Sequence, residues 1–316
     1  PYPIAAIAPY TAVAPRIAAG ALAALFTRIK ASVTGGQGIG AVWVVQEDAD
    51  AIAGRAMLDA LSTELTAARA LKFFFWGLYQ LHRSTSDDDE IVTYCGSFVD
   101  PYITCSAGDA RVKGGLLTGA RFHRPASWVG AWKAARDRFS SDLGNHSDRV
   151  LNSAFGVTSI GARDERTATT KLATFRTGQT GDGGGFLVLE TMPNSGEVYF
   201  YRGRTIAANG SVLGDLGSTR VLLASARQIQ RALDLNGNTD PPRRADGSLV
   251  DEDAIRNQLD GPVRALLFGD PEFDQPHASA LSVSLPTYTL ATKTMSVSFE
   301  VQRNAQVKAV SATLGI

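Results

Sequence analysis

The sequence predicts an α/β (α+β) protein, a mixed β-sheet flanked by helices, with an extended segment at each end. Three observations carry this. Near the C-terminus Met295, Val297, Phe299 and Val301 alternate with Ser296, Ser298, Glu300 and Gln302, the period of a half-buried strand. "EDADAIAGRAMLDALSTELTAARAL" repeats its apolar residues at helical spacing instead. Strand-like and helix-like runs then interleave along the chain without a strict βαβ repeat. The chain has 316 residues, 44% hydrophobic and 20% charged, which is enough to bury a sizeable core.

Residues 1–14 are crossed by Pro3 and Pro9 and read as an extended arm, because proline fixes φ and removes a donor. Pro15 suits the first turn of a helix in which Ile17, Ala21, Ala24, Leu25 and Ile29 share a face to about Ser32. The start lacks a basic region and is broken by prolines, and Ile17–Phe26 is too short to cross a bilayer. The expectation is a soluble protein made in a cytoplasm.

"GGQGIG" at 35–40 is followed by the strand-like "AVWVV". A phosphate loop needs the opposite order, strand before and helix after, so these glycines read as a connection. In the helix that follows, Asp48 or Asp50 can cap, and Ile52, Ala56, Leu61 and Leu65 form the apolar face. "KFFFWGLYQL" predicts a buried strand, "SDDDE" at 86–90 a solvated loop, and "EIVTYCGSF" and "YITCSAG" further strands. A helix is predicted to begin at Pro125 in "PASWVGAWKAARDRFS". "FLVLE" and "VYFYRG" predict short strands, and a helix follows from about Ser218 to Leu233. "NGNTDPPRRADGS" predicts a loop. "VDEDAIRNQLDGPVRALLF" predicts a helix broken near Gly261-Pro262. The last run, with Val307, Ala309, Val310, Ala312, Leu314 and Ile316, shifts its apolar phase between Ala309 and Val310. That shift suits a bulge or a strand covered on both faces.

Chemistry-bearing patterns are sparse. His82, His123, His146 and His277 have no second His or Cys at ligand spacing. "DLNGNTD" places Asp234, Asn236, Asn238 and Asp240 as a calcium loop would, but Gly237 and Ala245 fall where the loop needs other residues. An Asx-rich turn is the better reading. "GSVLG" is not a nucleophile elbow. No cofactor or metal is predicted. Cys95 and Cys105 read as two buried thiols, and a bridge through a turn at Val99-Asp100-Pro101 stays open. The formal net charge of zero argues against nucleic-acid binding.

From Arg121 onward the sequence resembles the contractile tail sheath proteins of bacteriophages and related injection systems. "RPASWVGAWKAARDRFS" resembles the helix entering the family's core. "GVTSIGARDERTATTKLATFRTGQTGDGGGFLVLET" resembles the segment with an Arg-Thr step, here Arg176-Thr177. "NGSVLGDLGSTRVLLASARQIQRAL" resembles the Gly-Ser loop leading to Arg220-Val221. "VDEDAIRNQLDGPVRALL" and "KTMSVSFEVQRNAQVKAVSATLGI" resemble the next helix and the paired terminal strands.

The resemblance implies a non-enzymatic virion component: hexameric rings stacked helically around a tail tube, contracting to drive the tube through a host envelope. Implied partners are other copies, the tube, the baseplate and the tail terminator, with no cofactor, ATP, nucleic acid or membrane insertion. It implies assembly in the host cytoplasm. Residues 1–14 would be an arm, 15–290 a core domain and 291–316 a strand pair. Terminal strands would be exchanged between subunits through Met295, Val297, Phe299, Val301, Val307, Val310, Ala312, Leu314 and Ile316. The arm would contribute Tyr2, Ile4, Ile7, Tyr10 and Val13. Two other readings stand beside this one: a tube, baseplate or capsid component, and an α/β hydrolase-like enzyme.

Overall fold

A computed structural model describes residues 19–34, 40–45, 51–81, 98–106, 108–113, 121–136, 143, 156–160, 185–187, 189–191, 195–200, 203–208, 210–237, 243–246, 248–269, 277–289, 291, 294–303 and 309–315. The class is mixed α/β, with five α-helices and several small sheets among the described residues. The chain divides into two compact units, Pro1–Thr219 and Arg220–Ile316.

The first unit is built on a parallel sheet of β1 (Ala41–Val45), β2 (Trp76–Gln80), β3 (Ile103–Ser106) and β7 (Phe186–Leu187), in the order β1-β2-β3-β7. All five residues of β2 are buried, as its unbroken apolar run requires of a parallel strand covered on both faces. Tyr79 joins a core cluster with Leu22, Phe26 and Ile29 of α1 (Ala19–Thr34) and Leu58, Leu61, Leu65 and Ala68 of α2 (Ala51–Ala70). Gly77 lets α2 approach closely, since a Cβ there would lie 3.0 Å from Leu65 Cδ1.

The apolar faces differ from those expected. In α1 the buried positions are Leu22, Phe26 and Ile29, while Ala24 is exposed and Leu25 half-buried. In α2, Leu61 and Leu65 are buried as expected but Ala56 is exposed. Both helices are rich in alanine, which marks a face weakly, and the larger side chains take the interior.

An antiparallel sheet in the order β5-β4-β6 is formed by β4 (Asp109–Lys113), β5 (Arg121–Pro125) and β6 (Val157–Ile160). A hairpin pairs β8 (Leu189–Thr191) with β9 (Val198–Phe200). Pro125 ends β5 and the helix α3 starts one residue later, running Ala126–Arg136. Its Gly130 faces Leu187, Phe200 and Leu78, so α3 covers the side of β2 away from Tyr79.

Helix α4, Leu216–Gly237, is longer than expected and takes in Asp234 and Asn236. Those residues are therefore helical and not in an Asx turn, and Asp234 accepts from Gln230 Nε2 at 2.8 Å one turn earlier. In the second unit α5, Glu252–Phe268, begins at Asp251, whose side chain accepts from Ala254 N at 3.0 Å. It is not broken at Gly261-Pro262. Gln258, whose carbonyl Pro262 leaves unpaired, is exposed like Gly261 and Pro262, so water can satisfy it. Leu259, Val263 and Leu267 stay buried along one continuous face.

Arg69 and Tyr102 give the first unit a dependence on alkaline pH. The Arg69 guanidinium stacks 3.9 Å from the Tyr102 ring centroid. Burial pushes the Tyr102 phenol up, with Arg69 acting against the shift. A raised folded value means that stability is complete below the unfolded value of about 10 and falls as pH rises past it toward the folded value. Tyr102→Phe keeps the stack and should reduce the loss of stability between about pH 8 and about pH 11. Urea unfolding at the two pH values measures this.

Candidate assembly interface

The C-terminal sheet is organised around β12 (Thr294–Arg303). Its alternation is borne out: Met295, Val297, Phe299 and Val301 are 4%, 1%, 2% and 1% exposed, while Glu300 on the other face is exposed. β10 (Ala278–Val283) and β11 (Thr287–Thr289) lie end to end along one edge of β12, both antiparallel to it. Between them Ser284 holds the register. Its N–H donates to Ser298 O at 2.8 Å and its hydroxyl accepts from Ser298 N at 2.9 Å.

β13 (Ala309–Gly315) runs along the other edge, antiparallel, from Ser296↔Gly315 to Gln302↔Ala309. The pairing proceeds without a shift, so of the two readings of the apolar phase change the bulge is not the one found. The sheet's irregularity lies in β10, between Ala278 and Ala280. Val310, Ala312 and Leu314 stand in register opposite Val301, Phe299 and Val297, positions that share a face in an antiparallel pair.

Among the described strands β13 pairs with β12 alone, and its outer edge presents a row of backbone donors and acceptors. Such an edge is a template for another strand. The apolar face of β12, by contrast, is already covered in the single chain. Val307, Ile316 and the arm residues Tyr2, Ile4, Ile7, Tyr10 and Val13 lie outside the described residues, as does Cys95. Cys105 is buried on β3.

Two features escaped the sequence. Asp100 is 4% exposed and accepts from Ser62 Oγ at 2.6 Å and from Tyr102 N at 2.8 Å. Trp132 is exposed beside half-buried Trp128, and the exposed Trp43 reaches Ser127 at the start of the same helix. Trp128 and Trp132 are four apart in a predicted helix, and that spacing was the available signal.

No protein-family model matches the sequence, and no curated protein matches it. Solved structures do. A sheath tail protein from Listeria innocua aligns with a TM-score of 0.58 at 11% identity, covering 93% of this chain and 59% of that one.

The fold is that of tail sheath proteins.

A sheath tail protein from Desulfitobacterium hafniense gives 0.56 at 10% identity, covering 94% and 59%. The anti-feeding prophage helical sheath in its contracted state gives 0.51 at 14% identity, covering 95% and 71%. The chain thus spans 59% of the length of each of the first two sheath proteins. The sequence resemblance begins at Arg121, whereas the structural match, over 93% of the chain, takes in most of residues 1–120 as well. No helix among the described residues is long and apolar enough to cross a membrane.

Proposed function

We propose that the chain is a structural subunit of a contractile tail sheath, assembling in stacked hexameric rings around a tail tube. Its lattice would shorten to drive the tube through an envelope, with a baseplate at one end. The observation that carries this reading is the sheath fold over 93% to 95% of the chain, including a likeness to a helical sheath in its contracted state. The outer edge of β13, which no described strand pairs, supports it chemically. An extended segment of a neighbouring copy, such as the arm with Tyr2, Ile4, Ile7, Tyr10 and Val13, can add to that edge. Main-chain hydrogen bonds then supply affinity, and each cross-strand pair contributes about 0.2–1 kcal/mol. Links of this kind persist while the bodies they join rotate, so a lattice can shorten without dissociating.

Deleting residues 309–316 removes the edge while leaving β10, β11 and β12 paired. The full chain should form tubes or rings visible by electron microscopy, and the deletion should abolish them with the helical circular dichroism retained. Tubes of normal length from the deleted chain would show that β13 is not the link. A full chain that stays monomeric at every concentration would overturn the sheath reading itself.

A further inference from the structure

We propose that a tryptophan and arginine face on α3 docks the acidic start of α5 of a second copy of this chain. The inference rests on the sheath reading, since it supplies one contact of that assembly. Trp128 and Trp132 lie one turn apart with ring centroids at 5.0 Å, and Trp132 is 48% exposed. The Trp43 indole, 39% exposed, donates to Ser127 Oγ at 2.9 Å, which brings it against the first turn of α3. Exposed arginines flank the patch. The Arg124 guanidinium lies 5.9 Å from the Trp128 ring centroid, and Arg136 follows Trp132 by one turn. Three of the chain's four tryptophans thus lie on or against the start of α3, and each is at least partly exposed. Tryptophan and arginine are the residues that anchor protein interfaces, and leaving tryptophan in water forgoes a large burial.

The occupant follows from charge and shape. Val250 is 45% exposed and is followed by Asp251, Glu252 and Asp253 at the start of α5. Asp251 is used in capping, but the Asp253 side chain is 71% exposed despite its ion pair with Arg256 at 3.0 Å. Val250 supplies an apolar knob for the indoles, and Glu252 and Asp253 supply carboxylates for Arg124 and Arg136. The chain has no net charge, so attraction between copies must come from local patches of this kind. The two surfaces are different, so the contact is heterologous. It propagates from copy to copy into a ring or a helix, the form of assembly the sheath reading requires. This selects a second copy over an unrelated acidic partner.

Charge reversal tests the pairing. Arg124→Glu with Arg136→Glu, and separately Glu252→Arg with Asp253→Arg, should each raise the concentration needed for assembly by at least about tenfold. All four substitutions in one chain should restore it. Circular dichroism confirms that each variant is folded. As a direct readout, copies carrying Trp132→Cys and differently tagged copies carrying Val250→Cys should form a disulfide-linked pair on oxidation, which neither variant gives alone. Assembly at wild-type concentration by the reversed variants overturns this contact and leaves the sheath reading standing. So does a defect in the arginine variant that the fourfold variant fails to repair. A wild-type chain that never assembles overturns both.

Discussion

Phe299→Asp should unfold the C-terminal sheet of the isolated subunit, before any question of assembly arises. Phe299 is 2% exposed and stands in register between Val283 of β10 and Ala312 of β13. Removing the ring from such a site costs about 3–5 kcal/mol. An unpaired carboxylate in its place adds several more. Against a usual total of about 5–15 kcal/mol this is most of the stability a domain has. Phe299→Leu keeps an apolar side chain and should retain the sheet. Glu300→Gln, at an exposed position opposite Ser282 and Ser311, should stay within about 0.5 kcal/mol of the parent. Urea unfolding followed by circular dichroism, with sedimentation beside it, separates two roles for the apolar face of β12. A variant that melts like the parent but no longer sediments as tubes would make Phe299 a contact between subunits. A variant that loses its sheet signal as a monomer makes it core, as its burial within one chain requires.

How far the sequence reached depended on how local each signal was. The strand at 294–303 was legible because four large apolar residues alternate with polar ones in a single run, and β2 because its apolar residues are consecutive. The start of α5 was marked by an acidic cluster at a cap. The face of α1 was harder to read. Alanines at 19, 21, 23 and 24 surround Leu22 and Leu25, so several faces are apolar and only packing selects Leu22 and Phe26. Pro262 reads as a breaker because sequence does not reveal that its turn faces water. The end-to-end placement of β10 and β11 depends on pairing with a strand that follows both of them. Of the candidate interface, the two terminal strands were visible as strands. That β13 pairs with β12 alone among the described strands is a property of sheet order, which no run of residues encodes. The tryptophan face also needed the fold, because Trp43 reaches Ser127 across 84 positions of sequence.

The network around Asp100 is the extreme case of this non-locality, and its removal should have the second large effect. One carboxylate oxygen accepts from the Ser62 hydroxyl at 2.6 Å, 38 positions away, and the other accepts from Tyr102 N at 2.8 Å. The backbone of the same residue donates to Ile206 O at 2.8 Å and accepts from Ile103 N at 3.2 Å. Asp100 thereby ties α2 to the start of β3 and to residue 206. Beside it, burial pushes the Arg69 guanidinium below its ordinary range, and the negative charge of Asp100 opposes that shift. Asp100→Ala leaves a part-buried hydroxyl and a part-buried N–H without these acceptors, at about 1 kcal/mol each, the low end for an unsatisfied group. It also removes the charge that offsets Arg69, a further loss of the kind seen when one member of a buried pair is deleted. A total of about 3–5 kcal/mol is expected, enough to melt the first unit of a marginally stable protein. Asp100→Asn keeps a carbonyl for Tyr102 N but loses the charge, and should fall between Asp100→Ala and the parent. Ser62→Ala removes a single bond and should cost about 0.5–1.5 kcal/mol. Charge is then isolated by repeating Asp100→Asn in an Arg69→Met background, where its cost should shrink. If the cost is the same in both backgrounds, Asp100 acts through its hydrogen bonds alone and the electrostatic share of this account is wrong.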